Sequence, residues 1–169
     1  EPLVMAVEKM SKSKLNGITP DDMITQYGAD ALRTAVMFMG PVEKEKVWNS
    51  DAVASCRRFL NRIWELVNSP KRSDEELPEA TKLAHRLIHR VRQDMELMQF
   101  NTAIAKMMEF INDFNKLPSY PREALKALVQ LLSPFAPHIA EEMWQQLGGE
   151  GELSYQPYPK ANPAYLVDE

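Results

Sequence analysis

From Asn49 onward, apolar residues recur at alternating spacings of three and four. Val53, Cys56, Leu60, Ile63 and Val67 form the first such row, widened by Phe59 and Leu66. This spacing puts them on one face of a long amphipathic helix. After a polar loop around Pro70 to Pro78, the residues Ala84, Leu87, Ile88, Val91, Met95 and Met98 predict a second long helix. Asn101 is placed to cap a third, whose stripe is Ile104, Met107, Met108, Ile111 and Phe114. Pro121 and Glu123 open a fourth, carrying Leu125, Leu128, Val129 and Leu132. Pro134 and Pro137 bend or break it before Ile139, Met143, Trp144 and Leu147 continue, and Gly148-Gly149 end the helical region. Helices with continuous apolar stripes and short connections pack antiparallel, so the expected fold class is all-α, an antiparallel helix bundle.

The flanks read differently. Leu3 to Val7 is a short apolar stretch able to pair as a strand. Thr19, Pro20, Asp21 and Asp22 are a cap, a first-position proline and acidic residues suited to a helix N-terminus; Gly28 ends that short helix. A second short helix runs from about Asp30 to Met39 and stops at Gly40-Pro41, and a charged connector reaches Trp48. From Glu150 the chain holds Pro157, Pro159 and Pro163 with Tyr155 and Tyr158 and loses helical periodicity, as an extended linker would.

Composition agrees with a helical domain large enough to bury a core: 169 residues, 44% hydrophobic, 10 Met and only 6 Gly. The methionines fall at helical spacing, where they are adaptable core filling rather than a partner groove. Cys56 is the lone cysteine and cannot form an internal disulfide; no apolar stretch approaches membrane-span length and no signal-peptide pattern opens the chain. These features point to a cytoplasmic protein. His85, His89 and His138 lack metal-ligand spacing, so no metal site is expected. His138, beside Pro137, suits a structural hydrogen bond, while Glu141-Glu142 read as solvated or charge-pairing residues.

With a net charge of -4, any nucleic-acid contact must come from a local face. On the second long helix Lys82, His85, Arg86, His89, Arg90 and Arg92 fall opposite the apolar stripe; Arg57, Arg58 and Arg62 form a second basic strip on the first. As clusters these strips suit phosphate-backbone contact, whereas singly each arginine suits an ordinary surface ion pair.

The densest chemistry lies near the start. Lys9-Met10-Ser11-Lys12-Ser13 is followed by Lys14 and the turn residues Asn16-Gly17. Two lysines flanking a serine can close over a polyphosphate, with ammonium groups neutralising charge and hydroxyls adding donors; ATP is the natural ligand. KMSKSK leads into NGITPDDMITQYGADALRTAVMF, a block that resembles the segment following the signature loop of class I aminoacyl-tRNA synthetases. PFAPHIAEEMW at 134 to 144 is similar to the late helix of the anticodon-binding domain shared by leucyl, isoleucyl and valyl enzymes, and NTAIAKMMEFINDF at 101 to 114 is most similar to the bacterial leucyl branch. The resemblance covers nearly the whole chain.

The resemblance implies an ATP-dependent ligase that joins leucine to tRNA(Leu), with ATP as substrate and Mg2+ accompanying it. In that family Lys12 would contribute most to the transition state, with Lys9 as an auxiliary charge, Ser11 and Ser13 supplying hydroxyls, and Met10 packing. Leu15 departs from related loops, which more often place Asn or Gly there. Residues 1–48 would be the end of a catalytic domain with stem-contact-like helices, 49–149 the bundle, and 150–169 a linker toward another small domain. Leucyl enzymes generally do not read the anticodon, so backbone and shape contacts are expected. The nucleotide fold, leucine pocket and editing domain have no matching residues, and the chain begins at Glu1 without an initiator Met. The expectation is therefore a piece of a longer enzyme, inactive alone and carrying no bound cofactor. The contrasting readings are a self-standing helical RNA- or protein-binding module, and the isoleucyl or valyl branch.

Overall fold

The computed structural model describes residues 6–167. The strand expected at Leu3–Val7 falls mostly outside them. A single 3-10 turn at Lys12–Lys14 precedes seven α-helices among the described residues: α1 (Pro20–Tyr27), α2 (Ala29–Phe38), α3 (Ser50–Val67), α4 (Pro78–Glu96), α5 (Phe100–Phe114), α6 (Arg122–Leu132) and α7 (Pro137–Gln146). Two further 3-10 turns, Leu153–Tyr155 and Pro163–Tyr165, follow. Among the described residues, strand structure is confined to a two-residue parallel pairing, Arg72 with Tyr120 and Ser73 with Pro121. The all-α bundle is as the stripes require.

Asn49 starts α3 by accepting the Asp51 N–H at 2.9 Å on its side-chain oxygen. Every member of its apolar row from Val53 to Val67 is buried. Each such Leu or Ile contributes about 1.5–3 kcal/mol relative to exposure. On α4 the buried row is Ala80, Ala84, Leu87, Ile88 and Val91, and Pro78 occupies the first turn, where its missing N–H costs nothing. Antiparallel α5 packs on α4, α6 packs against α4, and α7 against α6. Met107 and Met143 are fully enclosed, which makes them core filling.

Two details of the α4–α5 reversal differ from expectation. Met98 is exposed and left-handed at φ 55°, lying past the helix rather than on its stripe. It makes the turn between two helices that must reverse within a few residues. Asn101 does not cap α5: the cap position is Gln99, whose N–H donates to the Asp94 carbonyl at 2.7 Å, and Asn101 lies inside the first turn. Thr19 does precede α1, yet its hydroxyl donates to the Asp22 carboxylate at 2.6 Å instead of accepting a backbone N–H.

Residues 150–167 lack α-helix, as expected, but they are docked on the bundle rather than running free. Glu141 accepts the N–H groups of Leu153 and Ser154, each at 2.9 Å, and Leu153 is buried. Glu141 is thus a cap for the tail, not a solvated charge. Farther on, the Asn162 N–H donates to His85 Nδ1 at 3.0 Å and Tyr165 stacks on the same imidazole. Leucine and tyrosine surface, hidden among prolines in the sequence, supplies the burial that draws this segment back.

Candidate phosphate loop and nucleic-acid face

The KMSKS segment forms one closed turn. Ser11 is extended at φ -151°, and Lys12–Lys14 make a 3-10 turn closed by Lys14 N–H to Ser11 O at 3.2 Å and Leu15 N–H to Lys12 O at 3.3 Å. Asn16 staples its two sides: its side-chain oxygen accepts the Ser11 N–H at 2.9 Å and its amide donates to the Lys9 carbonyl at 3.4 Å. This is the backbone mimicry typical of Asn beside turns. The hydroxyls of Ser11 and Ser13 lie 3.3 Å apart. Two donors are thereby brought together on one turn.

The three lysines of the loop differ. Lys14 is paired with Glu8 at 3.0 Å, whereas Lys9 and Lys12 are exposed and make no ion pair among the described residues. An uncommitted ammonium group has no existing partner to give up when a phosphate arrives. Met10 is 41% exposed, so the packing role expected of it is not satisfied by the described residues. Leu15 is left-handed at φ 53° and 93% exposed. A branched side chain costs about 1–2 kcal/mol in that conformation.

The two basic strips meet across α5. Arg62 on α3 donates to the Asn112 side chain at 2.7 Å, and Arg90 on α4 pairs with Glu109 at 3.1 Å. Asn112 and Glu109 are three apart on one helix, hence neighbours on its outward face. Lys82 and Arg86 are half-buried on α4, two turns and one turn before Arg90. Arg58 is exposed and donates to Ser55 at 2.8 Å. Arg57 is exposed but reaches the Tyr27 carbonyl at 3.4 Å, tying α3 to the end of α1.

The tail divides the face that angular spacing had drawn as one. His85 is taken up by Asn162 and Tyr165, and the exposed Tyr158 lies near Arg92 and Glu96, its hydroxyl pKa raised chiefly by partial desolvation. Lys82, Arg86 and Arg90 form the adjoining stripe. His138 makes the structural contact expected of it, with Nδ1 2.9 Å from Asp30 Oδ1. Among the described residues no group of three or more His, Cys, Asp or Glu could hold a metal ion, and no helix is long and apolar enough to cross a membrane. Cys56 is buried in the core, which pushes its thiol up to about 11 and leaves it inert.

Residues 79–169 match the family model described as the anticodon-binding domain of tRNA ligase. The chain belongs to that family. Residues 3–49, which carry the loop and α1–α2, match the model for class I tRNA synthetases of the I, L, M and V group. The chain is 59% identical over 168 residues to a leucine-tRNA ligase of Protochlamydia amoebophila (strain UWE25), a match spanning 99% of this chain and 20% of that protein. It is 50% identical over 168 residues to a leucine-tRNA ligase of Chlamydia caviae, again over 99% of this chain and 20% of that protein. Among solved structures, the crystal structure of the ternary complex of Agrobacterium radiobacter K84 agnB2 LeuRS-tRNA-LeuAMS superposes with a TM-score of 0.84 at 28% identity, over 94% of this chain and 23% of that one. The chain spans about a fifth of the length of the curated relatives it matches.

Proposed function

We propose that this chain is the part of a leucine-tRNA ligase that supplies the signature loop and a tRNA-docking bundle. The observation that carries the reading is the stapled KMSKS turn with Lys9 and Lys12 uncommitted, directly ahead of helices belonging to a tRNA ligase family. In the reaction, an oxygen of the leucine carboxylate bonds to the α-phosphorus of ATP as the bond to the bridging oxygen of the β-phosphate breaks, and pyrophosphate leaves. Lys12, aided by Lys9, meets the negative charge gathering on those phosphates, while the Ser11 and Ser13 hydroxyls donate to their oxygens. The tRNA terminal hydroxyl then attacks the adenylate carbonyl and releases AMP. Mg2+ would travel with the ATP phosphates, since the described residues offer no carboxylate cage of their own.

The tRNA backbone would lie along Arg58, Arg62, Lys82, Arg86 and Arg90, with Arg57 at the margin because it already serves the Tyr27 carbonyl. Residues 1–48 act as the end of the catalytic domain, 49–149 as the docking bundle and 150–169 as the connection onward. A ligase of this kind works where ATP and tRNA are, in the cytoplasm. Leucine-dependent ATP–pyrophosphate exchange by the full-length protein, with isoleucine and valine alongside, tests the reading. Exchange driven by leucine alone supports it; exchange driven by isoleucine or valine instead would move the chain to a sister branch.

A further inference from the structure

Helix α7 begins without a cap of its own. Ala136 sits at the cap position with nothing to offer, and Pro137 has no N–H. The next two N–H groups are those a cap side chain normally satisfies. Both are satisfied from another helix: Asp30 on α2 accepts the Ile139 N–H on Oδ2 at 2.7 Å and the His138 N–H on Oδ1 at 3.3 Å, from 109 and 108 residues away. The Asp30 side chain is only 9% exposed, and Oδ1 also meets His138 Nδ1 at 2.9 Å.

One turn along α2, Arg33 makes the opposite contact. Its Nε donates to the Phe135 carbonyl at 3.2 Å and its Nη2 to the Pro134 carbonyl at 3.0 Å, just past the end of α6. An anion thus holds the start of one bundle helix and a cation the carbonyls that follow the end of another, each matching the local dipole. Arg57 adds a link from α3 to the α1–α2 junction. Among the described residues, none within the bundle supplies these hydrogen bonds, although Ala136→Ser would cap α7 locally.

We propose that Asp30 and Arg33 are positioning residues, a clamp that registers the signature loop's helix pair against the tRNA-docking bundle and so couples tRNA docking to the synthetic step. The proposal rests on the ligase reading above. The clamp touches neither ATP nor tRNA, so its loss should spare adenylate formation measured without tRNA and spare tRNA affinity. What should fall is turnover with tRNA bound, by about tenfold, within the range usual for coupling between sites.

The test uses the full-length enzyme with Asp30→Ala, with Asp30→Ala plus Ala136→Ser, and with Asp30→Asn as the shape-conserving variant. Leucine-dependent pyrophosphate exchange, the kcat and KM of leucylation, and amide exchange over residues 9–17 and 137–146 are measured together. The expected result is a loss of leucylation kcat in Asp30→Ala at unchanged KM for tRNA, with Asp30→Asn intermediate, and with tRNA slowing amide exchange over residues 9–17 in the wild type but not in Asp30→Ala. The added Ala136→Ser should restore α7 protection without restoring kcat. Rescue of kcat along with α7 protection would make Asp30 a helix cap and nothing more, and would overturn the clamp; so would parallel losses in exchange, KM and kcat. A wild-type enzyme inactive with leucine would instead sink the ligase reading, and the proposal with it.

Discussion

The ring of Tyr165 lies flat on that of His85, with centroids 4.7 Å apart and planes inclined by 11°. The Asn162 N–H donates to Nδ1 of the same imidazole at 3.0 Å, so His85 must be unprotonated there when the tail is docked. Burial lowers its pKa below the ordinary 6.5, the direction expected when a neutral ring is enclosed. The sign follows. Docking is fully supported above the free value; as pH drops below it, the undocked imidazole takes the proton first, and support is lost as pH falls through the lowered docked value. Amide protection factors for Asn162 and the residues near it should therefore hold at about pH 7.5 and decline toward about pH 5, ahead of any loss in α4 itself. Protection that tracks α4 at every pH would contradict a separately docked tail.

A second expectation concerns Gly149, over which the Trp144 indole lies so closely that an added methyl would fall within the ring. Trp144 also donates to the Glu150 carbonyl at 3.4 Å, fixing the turn from α7 into the tail. Gly149→Ala should cost about 1–3 kcal/mol through overpacking. Gly17→Ala, where a methyl meets nothing within 4 Å, should stay within about 0.5 kcal/mol. Urea unfolding of the two variants compares them directly; equal midpoints would show that the tail turn is loosely held.

The bundle and its main apolar rows were legible in the sequence, because Val53 to Val67 and Ile104 to Phe114 are local consequences of a 3.6-residue repeat, whereas Phe110, Leu117, Tyr120 and Phe135 are buried without having stood on a named row. Local caps were legible only in part: Thr19 and Asn101, expected to cap, make no cap bond, whereas Asn49, read only as the start of the repeat, does. Caps borrowed through space were not legible: Ala136 relies on Asp30, and the tail turn relies on Glu141, both of which depend on tertiary placement. Met98 followed the α4 stripe in spacing but not in space, because a left-handed residue ended the helix first. At the loop, the motif identified Lys9 and Lys12, while the stapling role of Asn16 emerged only from its two hydrogen bonds. Angular spacing drew Lys82 and His85 onto one face, and the returning tail separated them.

The chain alone should make no leucyl-adenylate. It carries the loop lysines, while two cavities among the described residues lie elsewhere, beside Arg62 and Tyr120 and beside Leu32 and Phe135. Positioning of both reactants supplies much of the rate in a two-substrate reaction. Leucine-dependent pyrophosphate exchange by rigorously pure chain, at any level above a leucine-free control, would refute this.

Under the proposed reading the loop has a part in adenylate formation and the helix face a part in tRNA docking, and one pair of variants in the full-length enzyme sets the two against each other. Lys12→Ala should depress leucine-dependent pyrophosphate exchange by about 10²–10³, equivalent to about 2.7–4 kcal/mol of lost transition-state stabilisation, and leave tRNA affinity unchanged. Arg62→Ala with Arg90→Ala should leave exchange intact, weaken tRNA binding and flatten its salt dependence by up to about 0.7–0.9 in log–log slope for each phosphate no longer neutralised. Measured side by side, exchange and salt-titrated tRNA binding should separate the two variants cleanly. Wild-type exchange in Lys12→Ala, or an unaltered affinity and slope in the double variant, would contradict the assignment of loop and face.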